Sequence, residues 1–122
     1  MTKLKIIHTE SSEGWGGQEI RILEEINLFH KNGSYDCSVI VSHSAEMNSR
    51  NPYSSLNIIP APIGKKRIAG VRFLSKYFNK NNPDIVISHS STDSWLVALA
   101  RFFDKQKEFT LGYTLVLVKL ND

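Results

Sequence analysis

Apolar residues in this chain switch period several times, and that switching limits the possible folds more than any single motif does. Lys3 to Ile7 is a short run of buried-strand type, and the polar, glycine-bearing segment from His8 to Gly17 reads as a loop. From Gln18 the period becomes helical: Ile22, Leu23, Ile26 and Phe29 share one face, Arg21, Glu24 and Glu25 the other, and Gly33 supplies a stop. Cys37 to Ser42 predicts a second strand. The polar stretch from His43 to Ser55 lacks clear periodicity and reads as loop or weak helix. Leu56 to Ile59 predicts a third strand, closed by Pro60 and Pro62. Ile68, Val71, Leu74 and Phe78 recur at helical spacing, and Asn81-Asn82-Pro83 ends that helix. Ile85-Val86-Ile87, within Asp84 to Ser88, has a buried-strand pattern. The hydroxyl-rich segment from His89 to Ser94 then offers N-caps for a helix whose wide apolar face holds Trp95, Leu96, Leu99, Phe102 and Phe103. Asp104 to Glu108 makes a charged connection to a final strand-like run.

Strands alternating with connections of helical length imply parallel pairing, because the crossover between parallel strands is usually a helix. The expected architecture is a three-layer α/β domain with a mostly parallel sheet of about five strands and helices on both faces. The 122 residues suit one domain, 1–122, with no internal repeat or linker, and fall short of two such domains. Ligands of open parallel sheets bind beyond the carboxyl ends of the strands. That directs attention to the loop after the first strand and the loop after Ile87.

Composition narrows the function classes. Hydrophobic residues form 41% of the chain and charged residues 22%, which suits a folded globular domain. A single cysteine, Cys37, rules out an internal disulfide framework and leaves no thiol cluster for structural zinc, so a reducing, cytoplasmic setting is expected. The N-terminal apolar run is cut off by His8 and Thr9, too short for a signal peptide, and no segment reaches the roughly 20 apolar residues of a membrane span. A net charge of +3 is a mild basic bias and not the footprint of a nucleic-acid-binding protein. The dense cluster Lys65-Lys66-Arg67 suits a peripheral contact with an anionic lipid surface, a phosphorylated acceptor, or simply a solvated helix start.

Two segments could carry chemistry. Gly14-Trp15-Gly16-Gly17-Gln18-Glu19 opens the first helix, where glycines let backbone amides approach an anion at the positive end of the helix dipole. It matches neither the dinucleotide fingerprint nor a Walker loop, so a tight turn and a phosphate loop remain equally open. Glu19 can cap a backbone amide at that helix start. His89-Ser90-Ser91-Thr92-Asp93-Ser94-Trp95 crowds a histidine and hydroxyls around the next helix N-terminus, suiting phosphate or sugar hydroxyls, although capping alone could account for Ser91 or Asp93. Trp95 reads as a core anchor before a sugar-stacking platform. His8 is a weaker candidate at the end of the first strand. No spacing of His, Asp, Glu or Cys suggests a metal site, and no cofactor is expected.

Taken together, Thr9-Glu10-Ser11-Ser12 leading into Gly14-Trp15-Gly16-Gly17-Gln18-Glu19, the strand ending in His89-Ser90-Ser91-Thr92-Asp93-Ser94-Trp95, and Pro83-Asp84 ahead of it resemble the N-terminal domain of bacterial family 4 glycosyltransferases of the GT-B fold. The similarity runs over about residues 4–103. It implies a Rossmann-like acceptor-side domain of a retaining transferase that uses a nucleotide sugar as donor substrate, with a lipopolysaccharide or other surface polysaccharide as acceptor. The resemblance puts Gly16 and Gly17 at the donor phosphates, and Trp15, Glu19, His89, Ser90, Thr92 and Asp93 along the cleft. Such a domain needs a C-terminal donor domain, here expected from a separate polypeptide or lost by truncation or frameshift, and is expected to be inactive alone. Sugar or lipid-linked acceptors and the inner face of the membrane follow as partners. The tail, residues 109–122, departs from the family: it lacks the usual histidine or basic residue and continues as an apolar run from Tyr113 to Leu120. An unmatched strand there would favour self-association. The alternative function is a non-enzymatic Rossmann-like module that binds a phosphorylated or nucleotide ligand. A receiver-domain reading fits less well, because the first-strand loop lacks clustered acidic residues.

Overall fold

Ile6 and Ile7 are both buried but belong to different hydrophobic clusters, as neighbours on a strand covered on both faces must. A computed structural model describes residues 3–103. Within it β1 (Leu4–Glu10), α1 (Gly17–Asn32), β2 (Tyr35–Ser42), the short α2 (Met47–Arg50), β3 (Asn57–Ala61), α3 (Ile68–Asn81), β4 (Ile85–Ser88) and α4 (Ser91–Phe103) follow in order. The four strands form one sheet in the order β3-β2-β1-β4, with every pairing parallel.

One layer comprises α3 and α4: Val71, Leu74 and Phe78 with Leu96, Val97 and Ala100 close over Ile7, Ile40, Ala61 and Val86. On the opposite face Ile22, Leu23 and Ile26 of α1, with Met47, cover Ile6, Cys37, Val39 and Val41. The larger of these side chains, Val, Leu, Ile, Phe and Met, contribute about 1.5–3 kcal/mol each on full burial, so these two clusters hold the three layers together. Gly33 ends α1 in the left-handed region at φ 83°, and Asn82 ends α3 at φ 45°. The expected three-layer α/β architecture is present. The expected fifth strand, the tail at 109–122 and the side chains of Phe102 and Phe103 lie outside the described residues.

The structure corrects several sequence boundaries. β1 runs to Glu10 instead of stopping at Ile7, because it is flanked by strands on both sides: Thr9 is in register with Ile40 and with Ser88, and Glu10 with Val41. Ladder pairing carries the polar residues His8, Thr9 and Glu10 into the interior, where composition alone predicted a loop. β3 continues through Pro60 to Ala61. It lies at the sheet edge, where a proline lacking an N–H is tolerated. The weak-helix alternative for 43–55 is realised as the single turn of α2.

Three apolar residues lie outside the core that periodicity gave them, and of these Phe29, near the end of α1, is 39% exposed and meets the Tyr35 ring edge-on. Ile68 is 71% exposed, because the first turn of α3 meets the rest of the fold through Gly70 instead. A Cβ on Gly70 would fall 2.7 Å from the Pro62 carbonyl oxygen and 3.2 Å from Leu96. Trp95 is 44% exposed and sits on the outer stripe of α4 with Ser91 and Ala98, while Leu96, Val97 and Ala100 meet the sheet. The Lys66 ammonium lies 5.8 Å from the Trp95 ring centre, so this indole is a surface partner for a cation and not a core anchor. Because the atom opposing Gly70 is backbone, Gly70→Ala is expected to destabilise the domain by about 1–3 kcal/mol. A urea midpoint unchanged from the parent would contradict that packing.

Candidate functional site

The loops after β1 and β4 are distant in sequence, yet the adjacency of those two strands brings them together at their carboxyl ends. Asp93, in the first turn of α4, is the centre of the junction. Its carboxylate accepts hydrogen bonds from Thr9 Oγ1 at 2.7 Å, Ser11 Oγ at 2.8 Å, and the backbone N–H groups of Ser11, His89 and Ser90 at 3.1, 3.1 and 3.2 Å. In return the Asp93 N–H donates to Ser11 Oγ. One buried carboxylate thus ties β1, the β1–α1 loop, the end of β4 and the N-terminus of α4 into a unit. Burial pushes the Asp93 carboxyl up to about 6, against the downward pull of the Thr9 hydroxyl, with the Glu10 carboxylate adding to the rise and the Ser11 and His89 donors opposing it.

Glu10 makes a second junction. Fully buried at the end of β1, it accepts from the Ser12 N–H at 2.9 Å, from the Gln18 side-chain amide, and from Ser90 Oγ. Gln18 also reaches Ser90 Oγ at 3.1 Å, so the start of α1 is linked directly to the β4–α4 loop.

Beside these carboxylates, His8 Nδ1 and His89 Nε2 lie 2.9 Å apart. The ring planes differ by only 6° and the centroids are 5.2 Å apart, which places the imidazoles edge to edge in one plane. A bond between two ring nitrogens takes a single proton, so at least one ring must be neutral on the facing side. His8 Nε2 is buried without a hydrogen-bond partner. Burial, then the neighbouring His89 and Arg21, hold His8 down at about 3. Burial and Arg21 hold His89 at about 4, with Glu25 pulling slightly the other way.

At the first loop, Gly16 is the N-cap of α1 in an extended conformation, and its N–H donates to Glu19 Oε1 at 2.7 Å. Glu19 is buried and performs the capping role its position allowed. Gly17 is exposed, and a Cβ there would meet nothing within 4 Å, so the fold itself has no steric need for that glycine. Trp15 is half-buried against the α1-side cluster. Thr92 is half-buried in the first turn of α4, and Ser90 and His89 are partly exposed at the junction. The sequence-derived residues therefore divide. Asp93 and Glu19 are engaged by the chain's own amides, whereas Gly17, His89, Ser90 and Thr92 keep surface at the carboxyl edge.

Sequence reasoning assigned no role to Glu10, Ser11, Thr9 or Gln18. A polar run at the end of a strand reads as loop unless that strand is known to be central, and strand order was not readable from one sequence. Among the described residues no cluster of three His, Cys, Asp or Glu side chains is arranged to hold a metal, and no helix is long and apolar enough to cross a membrane.

No protein-family model matches the chain, and no curated protein matches it. Among solved structures it is similar to a lipopolysaccharide outer core galactosyltransferase, WaaB in its apo form, with a TM-score of 0.65 and 19% sequence identity. The similarity covers 81% of this chain and 30% of that one, so the chain spans under a third of its structural neighbour. What the two share is the fold, a Rossmann-like α/β architecture.

Proposed function

We propose that this chain is the acceptor-side, N-terminal domain of a nucleotide-sugar-dependent glycosyltransferase of the family 4 type, acting in the synthesis of lipopolysaccharide or another cell-surface polysaccharide. The observation that carries this reading is the junction of β1 and β4, which fixes a rim of polar groups at the carboxyl edge of a fold shared with a lipopolysaccharide galactosyltransferase. In it the backbone of Gly17, at the positive end of α1, faces the donor diphosphate, whose negative charge grows as the glycosidic bond to it breaks, while the Gly16 N–H is already committed to Glu19 Oε1. Trp15, His89, Ser90 and Thr92 line the cleft in which an acceptor hydroxyl attacks the anomeric carbon. Asp93 and Glu19 hold the two walls in position.

The nucleotide-sugar groups that such a reaction also requires belong to a donor domain, and the described residues contain a single sheet. In this reading the domain forms one side of a cleft, with a donor domain as partner, and is inactive by itself, because transition-state stabilisation draws on groups from both sides. The setting is cytoplasmic, at the inner face of the membrane, with the basic cluster Lys65-Lys66-Arg67 available for peripheral contact.

The test is glycosyl transfer and nucleotide-sugar hydrolysis by the purified chain, with and without an added donor domain of the same fold, alongside calorimetric titration with UDP and ADP sugars. Activity that appears only in the mixed sample is the expected result. Turnover by the chain alone would overturn the half-site reading. Nucleotide binding with no turnover in any sample would favour the non-enzymatic module.

A further inference from the structure

A recess opens on the same edge of the sheet, over β2 and β3. It encloses about 180 Å³ and is walled by Glu13 of the β1–α1 loop, Ser42 at the end of β2, and Pro62, Gly64, Lys65 and Arg67 between β3 and α3. We propose that this recess binds a phosphorylated saccharide, which under the reading above is the acceptor of the transfer.

Its walls carry two opposite chemistries. Glu13 is exposed, yet its side chain is held in place: Ser42 Oγ donates to Oε2 at 2.7 Å, and Gly64 packs close behind. A Cβ on Gly64 would lie 2.7 Å from Glu13 Oε2 and 2.8 Å from Ser42 Oγ, so glycine is the residue that leaves the carboxylate where it is. Oε1 remains to accept from a ligand hydroxyl. Lys65 and Arg67 face the same space, and neither is among the ion pairs of the described residues, which join Arg21 to Glu25 and Arg50 to Glu46.

The cations are also placed against the helix dipole. Arg67 is the N-cap of α3 without a side-chain cap, and no acidic residue occupies the first turn, so positive side chains sit at the positive end of the helix. An anion in the recess relieves both. Inorganic phosphate alone would also meet the Glu13 carboxylate, and a neutral sugar would leave Lys65 and Arg67 unused. A sugar bearing a phosphate satisfies the carboxylate through its hydroxyls and the cations through its phosphate.

The experiment titrates the full chain with glucose 6-phosphate, glucose, inorganic phosphate and UDP, followed by amide NMR shifts. Glucose 6-phosphate is expected to bind at least about 10-fold more tightly than glucose or phosphate, with shifts concentrated at Glu13, Gly64 and Lys65. Glu13→Gln should weaken glucose 6-phosphate about 10-fold without weakening phosphate. The Lys65→Ala/Arg67→Ala double variant should reduce glucose 6-phosphate to the affinity of glucose. All three side chains are exposed, and unchanged thermal unfolding of the variants would confirm that folding is preserved. UDP shifts should centre on Gly16 and Gly17 and be indifferent to these changes. Equal affinity for phosphate and glucose 6-phosphate, or a Glu13→Gln variant that binds as the parent does, would overturn the proposal. Absent transfer activity with this binding intact would count against the transferase reading alone. Transfer activity without hexose phosphate binding would remove the recess alone.

Discussion

Asp93→Ala is expected to lower stability by roughly 3–5 kcal/mol at neutral pH, the largest loss from any single side chain discussed for this fold. The carboxylate is buried and accepts from Thr9, from both the hydroxyl and N–H of Ser11, and from the N–H groups of His89 and Ser90. Alanine would strand those donors away from water. Asp93→Asn keeps the shape but turns amide hydrogens toward groups that are themselves donors, so it should recover only part of the loss, at a cost of about 2 kcal/mol. Thr92→Ala, one residue earlier on a half-buried side chain, should stay within about 0.5 kcal/mol. Urea midpoints at pH 7.5 for the three variants decide the point. An Asp93→Ala loss below about 1 kcal/mol would mean that water replaces the carboxylate at this junction.

The second large effect is acid sensitivity. His8 and His89 titrate near 3 and 4 in the folded chain against 6.5 when free, so between those limits the folded state binds fewer protons than the unfolded state. The stability they confer is complete above about 6.5 and drains away as pH falls toward 4. By pH 5 each histidine should have cost about 2 kcal/mol relative to pH 7.5. Asp93 acts in the opposite sense, since its folded value near 6 lies above the usual 3.8 and the folded state takes up its proton first. It returns about 1 kcal/mol at pH 5, leaving a net loss of roughly 3 kcal/mol. The charged groups acting on the pair are Arg21 and Glu25 of α1. Of these, Arg21 opposes and Glu25 assists protonation of His89. Urea unfolding from pH 7.5 to 5 should show this decline, and His8→Gln should reduce its slope by about two-thirds. A midpoint independent of pH over that range would rule out a buried neutral pair.

Both effects arise from residues whose type was visible in the sequence and whose partners were not. Glu19 could be read as a cap because its partner, the Gly16 N–H, is three residues away, and local spacing is enough to predict such a bond. Asp93 could be read as a cap for the same reason, through Ser90. Its bonds to Thr9 and Ser11 cross more than 80 residues, and depend on β1 and β4 being neighbours. His8 and His89 differ in the same way. Each ended a predicted strand, but only parallel pairing of those strands brings the two rings edge to edge.

The sequence by itself determined the alternation of strands and helices, the apolar stripes of Ile22, Leu23 and Ile26 and of Val71, Leu74 and Phe78, the stops at Gly33 and Asn82, and hence the layered parallel sheet. These follow from periodicity and local backbone preference, which act over a few residues. Tertiary structure decided the rest. Strand order made β1 central and so buried His8, Thr9 and Glu10, the close approach at Gly70 left Ile68 outside, and the loops after β1, β2 and β3 met to wall the recess around Glu13. Each of these depends on contacts between segments far apart in the chain, and no local pattern of residues records which segments will meet.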